Sequence, residues 1–209
     1  MHKEVLEKIE KYISGALKKQ LKIVIGIDGY TGIGKTTLLN ELTKHNKKII
    51  AVNRDDFLKS RRFFEKVFKK AKDKSKSLEI DILDEKKIRK LIEAFRSGKK
   101  IFQTKIFDPK SGKSNIAKKY ILLKNILVIE GIFLFHQKQL NDIFDLRIFL
   151  DGSITDADRR RIAREKKKWG KDYFPESHPD SYFRLIKIAF KRYLKEQEPK
   201  KKADIILMV

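Results

Sequence analysis

The run Leu21-Lys-Ile-Val-Ile-Gly-Ile27-Asp28-Gly29-Tyr-Thr-Gly-Ile-Gly34-Lys35-Thr36-Thr37-Leu38-Leu39 decides the architecture. Its first third is short, apolar and β-branched, which reads as a strand buried on both faces. Its last third, continued by Glu41 and Leu42, reads as a helix. Between them, Gly29 to Thr36 satisfies G-x-x-x-x-G-K-[ST] without a mismatch, in the strand–turn–helix setting the pattern requires. In such a loop Gly29, Thr31, Gly32, Ile33 and Gly34 let successive backbone N–H groups turn toward a phosphate. The helix beginning at Lys35 points its positive end at the same anion. Lys35 then reaches the β- and γ-phosphates, the Thr36 hydroxyl ligates Mg²⁺, and Thr37 adds a further contact. The pattern predicts a site for ATP with Mg²⁺.

Outward from this loop, four more short apolar runs predict strands: Lys48 to Val52, Ile126 to Glu130, Asp145 to Leu150 and Asp204 to Met208. Helical patterns start near Lys35, Arg61, Asp84, Ser153 and Ser181, and alternation of the two implies βαβ units. The predicted fold is α/β: a parallel five-stranded sheet of the P-loop NTPase type, helices on both faces, with a basic lid and a substrate-side insertion. With 209 residues the chain is expected to form one domain. Within it we expect an N-terminal helix over 1–19, an acceptor-side insertion over 59–119 and a lid over 156–171.

Composition narrows the chemistry. The absence of cysteine removes thiolate catalysis, Cys-ligated zinc and disulfides. His45, His136 and His178 show no metal-binding spacing and read as surface or packing residues. No run approaches the roughly 20 apolar residues of a membrane span, and the first 19 residues lack a signal-peptide core, so a cytoplasmic location is expected. The formal net charge of +23 admits nucleic-acid, anionic-membrane or phosphate partners. Lysines outnumber arginines about three to one, which suits a solvated surface. Four arginines nevertheless crowd into Arg159, Arg160, Arg161 and Arg164.

A guanine-reading Asn-Lys-x-Asp element is missing, and the apolar run Ile126 to Ile129 ends in Glu130-Gly131 rather than the Asp-Glu of motor ATPases. Gly29 to Thr37, Arg54-Asp-Asp-Phe57, Val128-Ile-Glu-Gly-Ile132, Phe149-Leu-Asp151 with the arginine cluster, and Pro199 to Ile206 follow one another in an order and spacing that resembles the uridine kinase and phosphoribulokinase family. The resemblance covers about residues 21 to 207. It implies ATP-dependent phosphorylation of a hydroxyl on a small molecule: a nucleoside such as uridine, a related riboside, a vitamin or a sugar phosphate.

Carried over by position, the family's Asp-x-Phe-Tyr element falls on Asp55-Asp56-Phe57-Leu58, which makes Asp55 the expected catalytic carboxylate, although the tyrosine is absent. A carboxylate just beyond the second strand can accept a hydroxyl proton or hold a water of Mg²⁺. The competing reading of Asp55 and Asp56 is a helix cap. Glu130, closing an apolar strand, is expected to face Mg²⁺. Arg160, Arg161 and Arg164 suit a clamp on the transferred phosphoryl group, with Arg160 and Arg164 on one helical face and Arg161 turned by about 100°. The family's further lid arginines are replaced here by Lys168-Trp-Gly-Lys-Asp172. Resemblance places the acceptor near Asp81-Ile-Leu-Asp84 and Phe107-Asp108, making Asp81, Phe107 and Asp108 substrate candidates, while Asp84 equally reads as a helix cap. Phe107 stands where nucleoside-specific members carry a stacking tyrosine. The rival class is an ATP-binding, nucleic-acid-associated or regulatory protein that docks through its lysine-rich faces; oligomeric state is left open.

Overall fold

The computed structural model describes residues 3–170, 177–178 and 181–209. In chain order its elements are α1 (Lys3–Leu17), β1 (Ile23–Gly29), α2 (Lys35–His45), β2 (Ile49–Asn53), a 3₁₀ turn (Arg54–Phe57), α3 (Arg61–Lys70), α4 (Lys74–Ile80), α5 (Glu85–Arg96), β3 (Ile101–Phe107), β4 (Ser114–Ile121), β5 (Ile126–Glu130), β6 (Leu146–Asp151), α6 (Ile154–Trp169), α7 (Tyr182–Gln197), α8 (Pro199–Lys202) and β7 (Ile205–Met208).

Five strands form one sheet in the order β2-β5-β1-β6-β7, every neighbouring pair parallel. Strands β1 and β5 lie inside it and are buried along their whole length, which is why their sequences run apolar instead of alternating. Register brings Asn53 of β2 and Ile27 of β1 to either side of Glu130. The carboxyl ends of β1, β2 and β5 therefore open onto one crevice, where ligands bind in open α/β sheets. The five strands and the helices from Lys35, Arg61, Asp84, Ser153 and Ser181 fall where the periodicity puts them. Ser60, Asp84, Ser153 and Ser181 each cap the following helix, their side chains accepting from a backbone N–H of its first turn. Among the described residues no helix is long and apolar enough to cross a membrane.

Between β2 and β5 the chain holds more structure than its periodicity announces. Strands β3 and β4 form an antiparallel hairpin, and α4 precedes it. Gln103, Thr104, Lys105, Lys118 and Lys119 give this hairpin no long apolar run, because it rests on the domain by one face only. That face brings Tyr120 over Phe57, ring centres 6.1 Å apart, and Phe107 over Phe64 at the same distance. Leu78, Ile82 and Leu185, with Leu58, Phe64 and Phe68, make a small second core beneath it.

Candidate active site

The loop after β1 is bonded by its own lysine. Lys35 is buried, and its Nζ donates to the carbonyls of Gly29 at 2.9 Å and Tyr30 at 2.8 Å. Burial pulls its pKa below the ordinary lysine value, opposed by the nearby Glu130, Asp28 and Asp55 carboxylates. Gly34 caps α2 at φ 116°, a conformation a side chain rarely adopts, and no side chain caps the helix there. The first amides of α2 thus face the crevice without a side-chain acceptor. Below the loop Asp28 is fully buried, accepting from Gly29 N at 2.6 Å, Phe135 N at 3.1 Å and Tyr193 Oη at 2.5 Å. Burial raises its pKa despite these donors.

Glu130 stands at the end of β5, opposite the loop. Thr36 Oγ1 donates to its Oε1 at 2.9 Å and Asn53 Nδ2 donates to the same oxygen at 3.0 Å. Among the described residues none donates to Oε2. Burial raises the Glu130 pKa, with Lys35 and Thr36 opposing. Next along the chain, Asn53 Oδ1 accepts from Asp55 N at 2.7 Å and so turns the 3₁₀ segment. This presents Asp55 to the crevice, its side chain 65 % exposed and one oxygen 3.5 Å from Arg54 Nη1. Asp56 points away, bound by Lys118 Nζ and Tyr120 Oη.

Helix α6 closes the third side. Tyr30 Oη donates to Asp158 at 2.7 Å, and Arg160 Nε donates to Gly32 O at 3.4 Å. Arg161 is buried, its guanidinium 4.0 Å from the centre of the Phe183 ring and 4.8 Å from that of Tyr182. Thr31, Gly32, Gly34, Lys35, Thr36, Thr37, Asn53, Asp55, Glu130, Arg160, Arg161, Arg164 and Tyr182 all line a cavity of about 500 Å³. All three arginines reach it; Arg161 does so from beside the loop, where a Cβ on Gly32 would lie 3.4 Å from its own Cβ.

A family model described as Phosphoribulokinase / Uridine kinase family matches residues 24–209. The chain belongs to that family. It is 30 % identical over 193 residues to the uridine kinase of Clostridium novyi (strain NT), covering 88 % of this chain and 86 % of that one. To the uridine/cytidine kinase UKL1, chloroplastic, of Arabidopsis thaliana it is 29 % identical over 192 residues, covering 88 % of this chain and 37 % of the relative. The chain spans about two fifths of the length of the Arabidopsis relatives it matches. Its fold is shared with a solved structure from Bacillus stearothermophilus described as a possible uridine kinase, at a TM-score of 0.64 and 19 % identity over 96 % of this chain and 99 % of that one.

In this family member not every residue singled out by motif reaches the cavity. Ile33 is buried in the main core, and Gly29 contributes its carbonyl to Lys35. Asp81, Phe107 and Asp108 do not line it. Asp81 lies exposed after α4, where its carbonyl accepts from Lys59 Nζ at 2.7 Å. Phe107 stacks on Phe64, and Asp108 begins the hairpin turn, its carboxylate accepting from Lys110 N at 2.9 Å and Ser111 N at 3.3 Å. These are turn and packing roles, and Asp108-Pro109 is itself a turn signal. Asp84 caps α5. Asn53 and Tyr182 carry no motif and are found only from the fold, register with Glu130 being what brings Asn53 in; Arg54 opens the Arg54-Asp-Asp-Phe57 element, but that element assigns it no role. Lys171 and Asp172 of the lid stretch lie outside the described residues.

Proposed function

We propose that the protein is an ATP-dependent kinase that transfers the γ-phosphoryl group to a hydroxyl of a small molecule, with Mg²⁺ as the accompanying ion. The observation that carries this reading is the single cavity in which Lys35 and Thr36 stand on one wall, Asp55 and Glu130 on another and Arg160, Arg161 and Arg164 on a third. Phosphoryl transfer depends on positioned charge more than on covalent chemistry, and this arrangement supplies it.

In this reading the amides of the loop and of the first turn of α2 hold the β- and γ-phosphates, and Lys35 Nζ exchanges its two carbonyls for phosphate oxygens. Thr36, Glu130 and Asp55 offer only oxygen, as a hard cation requires, and Glu130 keeps Oε2 clear of side-chain donors. Among the described residues no cluster of three or more His, Asp or Glu could hold a metal, so phosphates and water would complete its shell. Bound there, Mg²⁺ neutralises charge on the phosphates. Asp55 accepts the proton of the attacking hydroxyl at its carboxylate. The arginines of the lid, residues 156–171, shield the phosphoryl group from water, and residues 59–119 cover the acceptor side.

Among acceptors, uridine is suggested by the names of the relatives; ribosides, vitamins and sugar phosphates share the required hydroxyl. ATP consumption measured against a panel of these and against DNA or RNA tests the reading. Stimulation by a small acceptor supports it, and stimulation by nucleic acid alone overturns it. Lys35→Ala should lose ATP affinity; an unchanged dissociation constant would remove the site.

A further inference from the structure

Arg54 is the largest of the fully buried side chains, 1 % exposed. Among the described residues its Nε and Nη2 are buried without a hydrogen-bond partner, and its Nη1 has only the Asp55 oxygen at 3.5 Å, beyond a good hydrogen bond. Buried guanidinium groups are ordinarily paired, since an unpaired buried charge costs several kcal/mol. The neighbouring acids are not paired with it among the described residues: Glu130 Oε1 accepts from Thr36 and Asn53, and Asp56 from Lys118 and Tyr120. The Arg54 stem lies against Gly131, at the cavity wall, and its charge is felt at Lys35 and Tyr182, both of which line the cavity.

Charge counting points the same way. Among the described residues that line the cavity, Lys35, Arg160, Arg161 and Arg164 outnumber Asp55 and Glu130 by two, and Arg54 stands behind the wall at Gly131. Magnesium-bound ATP brings about two negative charges, which leaves a cation unmatched. Arg161 Nη1, also buried and without a partner among the described residues, belongs to a side chain that lies beside the loop glycine Gly32 and lines the cavity. Arg54 stands instead beside Asp55, the residue read as meeting the acceptor.

We propose that Arg54 is a specificity-determining residue, and that the acceptor carries an anionic group, phosphate or carboxylate, which the Arg54 guanidinium pairs with beside Asp55. The Asp55 carboxylate makes no hydrogen bond among the described residues, so it can swing off Nη1 as the anion arrives. The proposal rests on the kinase reading and extends it to the class of acceptor.

The test is calorimetric titration of the full chain saturated with Mg²⁺ and a non-hydrolysable ATP analogue, so that the loop is already filled. The probes are matched pairs: ribose and ribose 5-phosphate, glycerol and glycerate, uridine and uridine 5′-monophosphate. In at least one pair the charged member should bind tenfold or more tightly than the neutral one. Arg54→Gln should bring the pair to within twofold while leaving the neutral member and the ATP analogue unchanged. Arg54→Lys, which keeps the charge without the fork, should fall between. Whether phosphate or carboxylate is favoured follows from which pair responds. Thermal unfolding without ligand should find Arg54→Gln no less stable than wild type, because the removed charge is unpaired. Neutral members binding as tightly as charged ones in all pairs would overturn the proposal, as would a preference that survives in Arg54→Gln. Failure of the ATP analogue to bind would instead sink the kinase reading, and the two failures are read in separate titrations.

Discussion

The hydroxyl of Thr36 donates to Glu130 across 2.9 Å, joining the first turn of α2 to the end of β5 through two residues 94 positions apart. The contact holds Glu130 in a buried place that raises its pKa. Glu130→Gln keeps an acceptor for Thr36 and removes the charge. Phosphoryl transfer should fall by at least about tenfold to a hundredfold, the usual cost of altering a group around a metal. Stability should move the other way. Because the folded carboxyl titrates above its ordinary value of 4.5, wild type is favoured below that value and loses stability as pH rises through the folded pKa. The glutamine variant does not titrate there. Its relative stability should therefore increase from pH 4 to pH 8 in urea unfolding, and a flat difference would show that Glu130 is not buried as described.

Adjacent carboxylates at 55 and 56 face opposite ways, and their variants should separate chemistry from packing. Asp55→Asn should keep ATP binding and lose about 10²- to 10⁴-fold in turnover, the range for a general base. Asp56→Asn loosens the hairpin by weakening the hold of Lys118 and Tyr120. It should cost about 1 kcal/mol, with turnover changed far less. Equal turnover losses in the two variants would contradict the assignment.

The sheet and the phosphate loop were legible because a few strong local rules agree there. Ile23 to Ile27 must be apolar to lie between two strands, and Gly29 to Thr36 has little freedom if amides are to point inward. The acceptor side was not. Gln103 and Lys118 belong to strands whose outer face meets water, so burial leaves no period in them. Phe107 and Asp108, suggested by position, respectively stack on Phe64 and shape the hairpin turn. Asn53 and Arg54 matter through register with β5 and packing on Gly131, and neither relation exists before the sheet forms. For Arg161, helical spacing turns it about 100° from Arg160, but its neighbours Gly32, Tyr182 and Phe183 are brought to it only by the fold.

Tyr193 ties α7 to the floor of the loop by donating to Asp28 at 2.5 Å. Tyr193→Phe removes one of the three donors that oppose the rise of the Asp28 pKa. The variant should lose about 1–3 kcal/mol, the cost of leaving a buried acceptor short. For a chain of this size that lowers Tm by about 2–4 °C per kcal/mol. The folded Asp28 pKa rises further, so the deficit against wild type should grow with pH once the carboxylate is charged and shrink in acid, where it is protonated. Thermal unfolding of both proteins between pH 4 and pH 9 checks the slope; a deficit that grows in acid would contradict it.

Gly131 follows Glu130 directly, and a Cβ there would stand 2.5 Å from Cβ and 2.6 Å from Cδ of Arg54. Both atoms are fixed: the Arg54 side chain is buried and its backbone opens the 3₁₀ turn directly after β2. Gly131→Ala should therefore cost about 1–3 kcal/mol, as overpacking does. The strain has only two outlets, the 3₁₀ turn that carries Asp55 or the strand end that carries Glu130, so turnover should fall along with Tm. Adding Arg54→Ala removes the Cδ conflict and leaves the Cβ conflict. The double variant should recover part of the lost stability and not all of it, a coupling readable from a four-protein unfolding cycle. Full additivity of the two single changes would mean that Arg54 does not lie over Gly131, and with it the placement of the guanidinium beside Asp55 would fall.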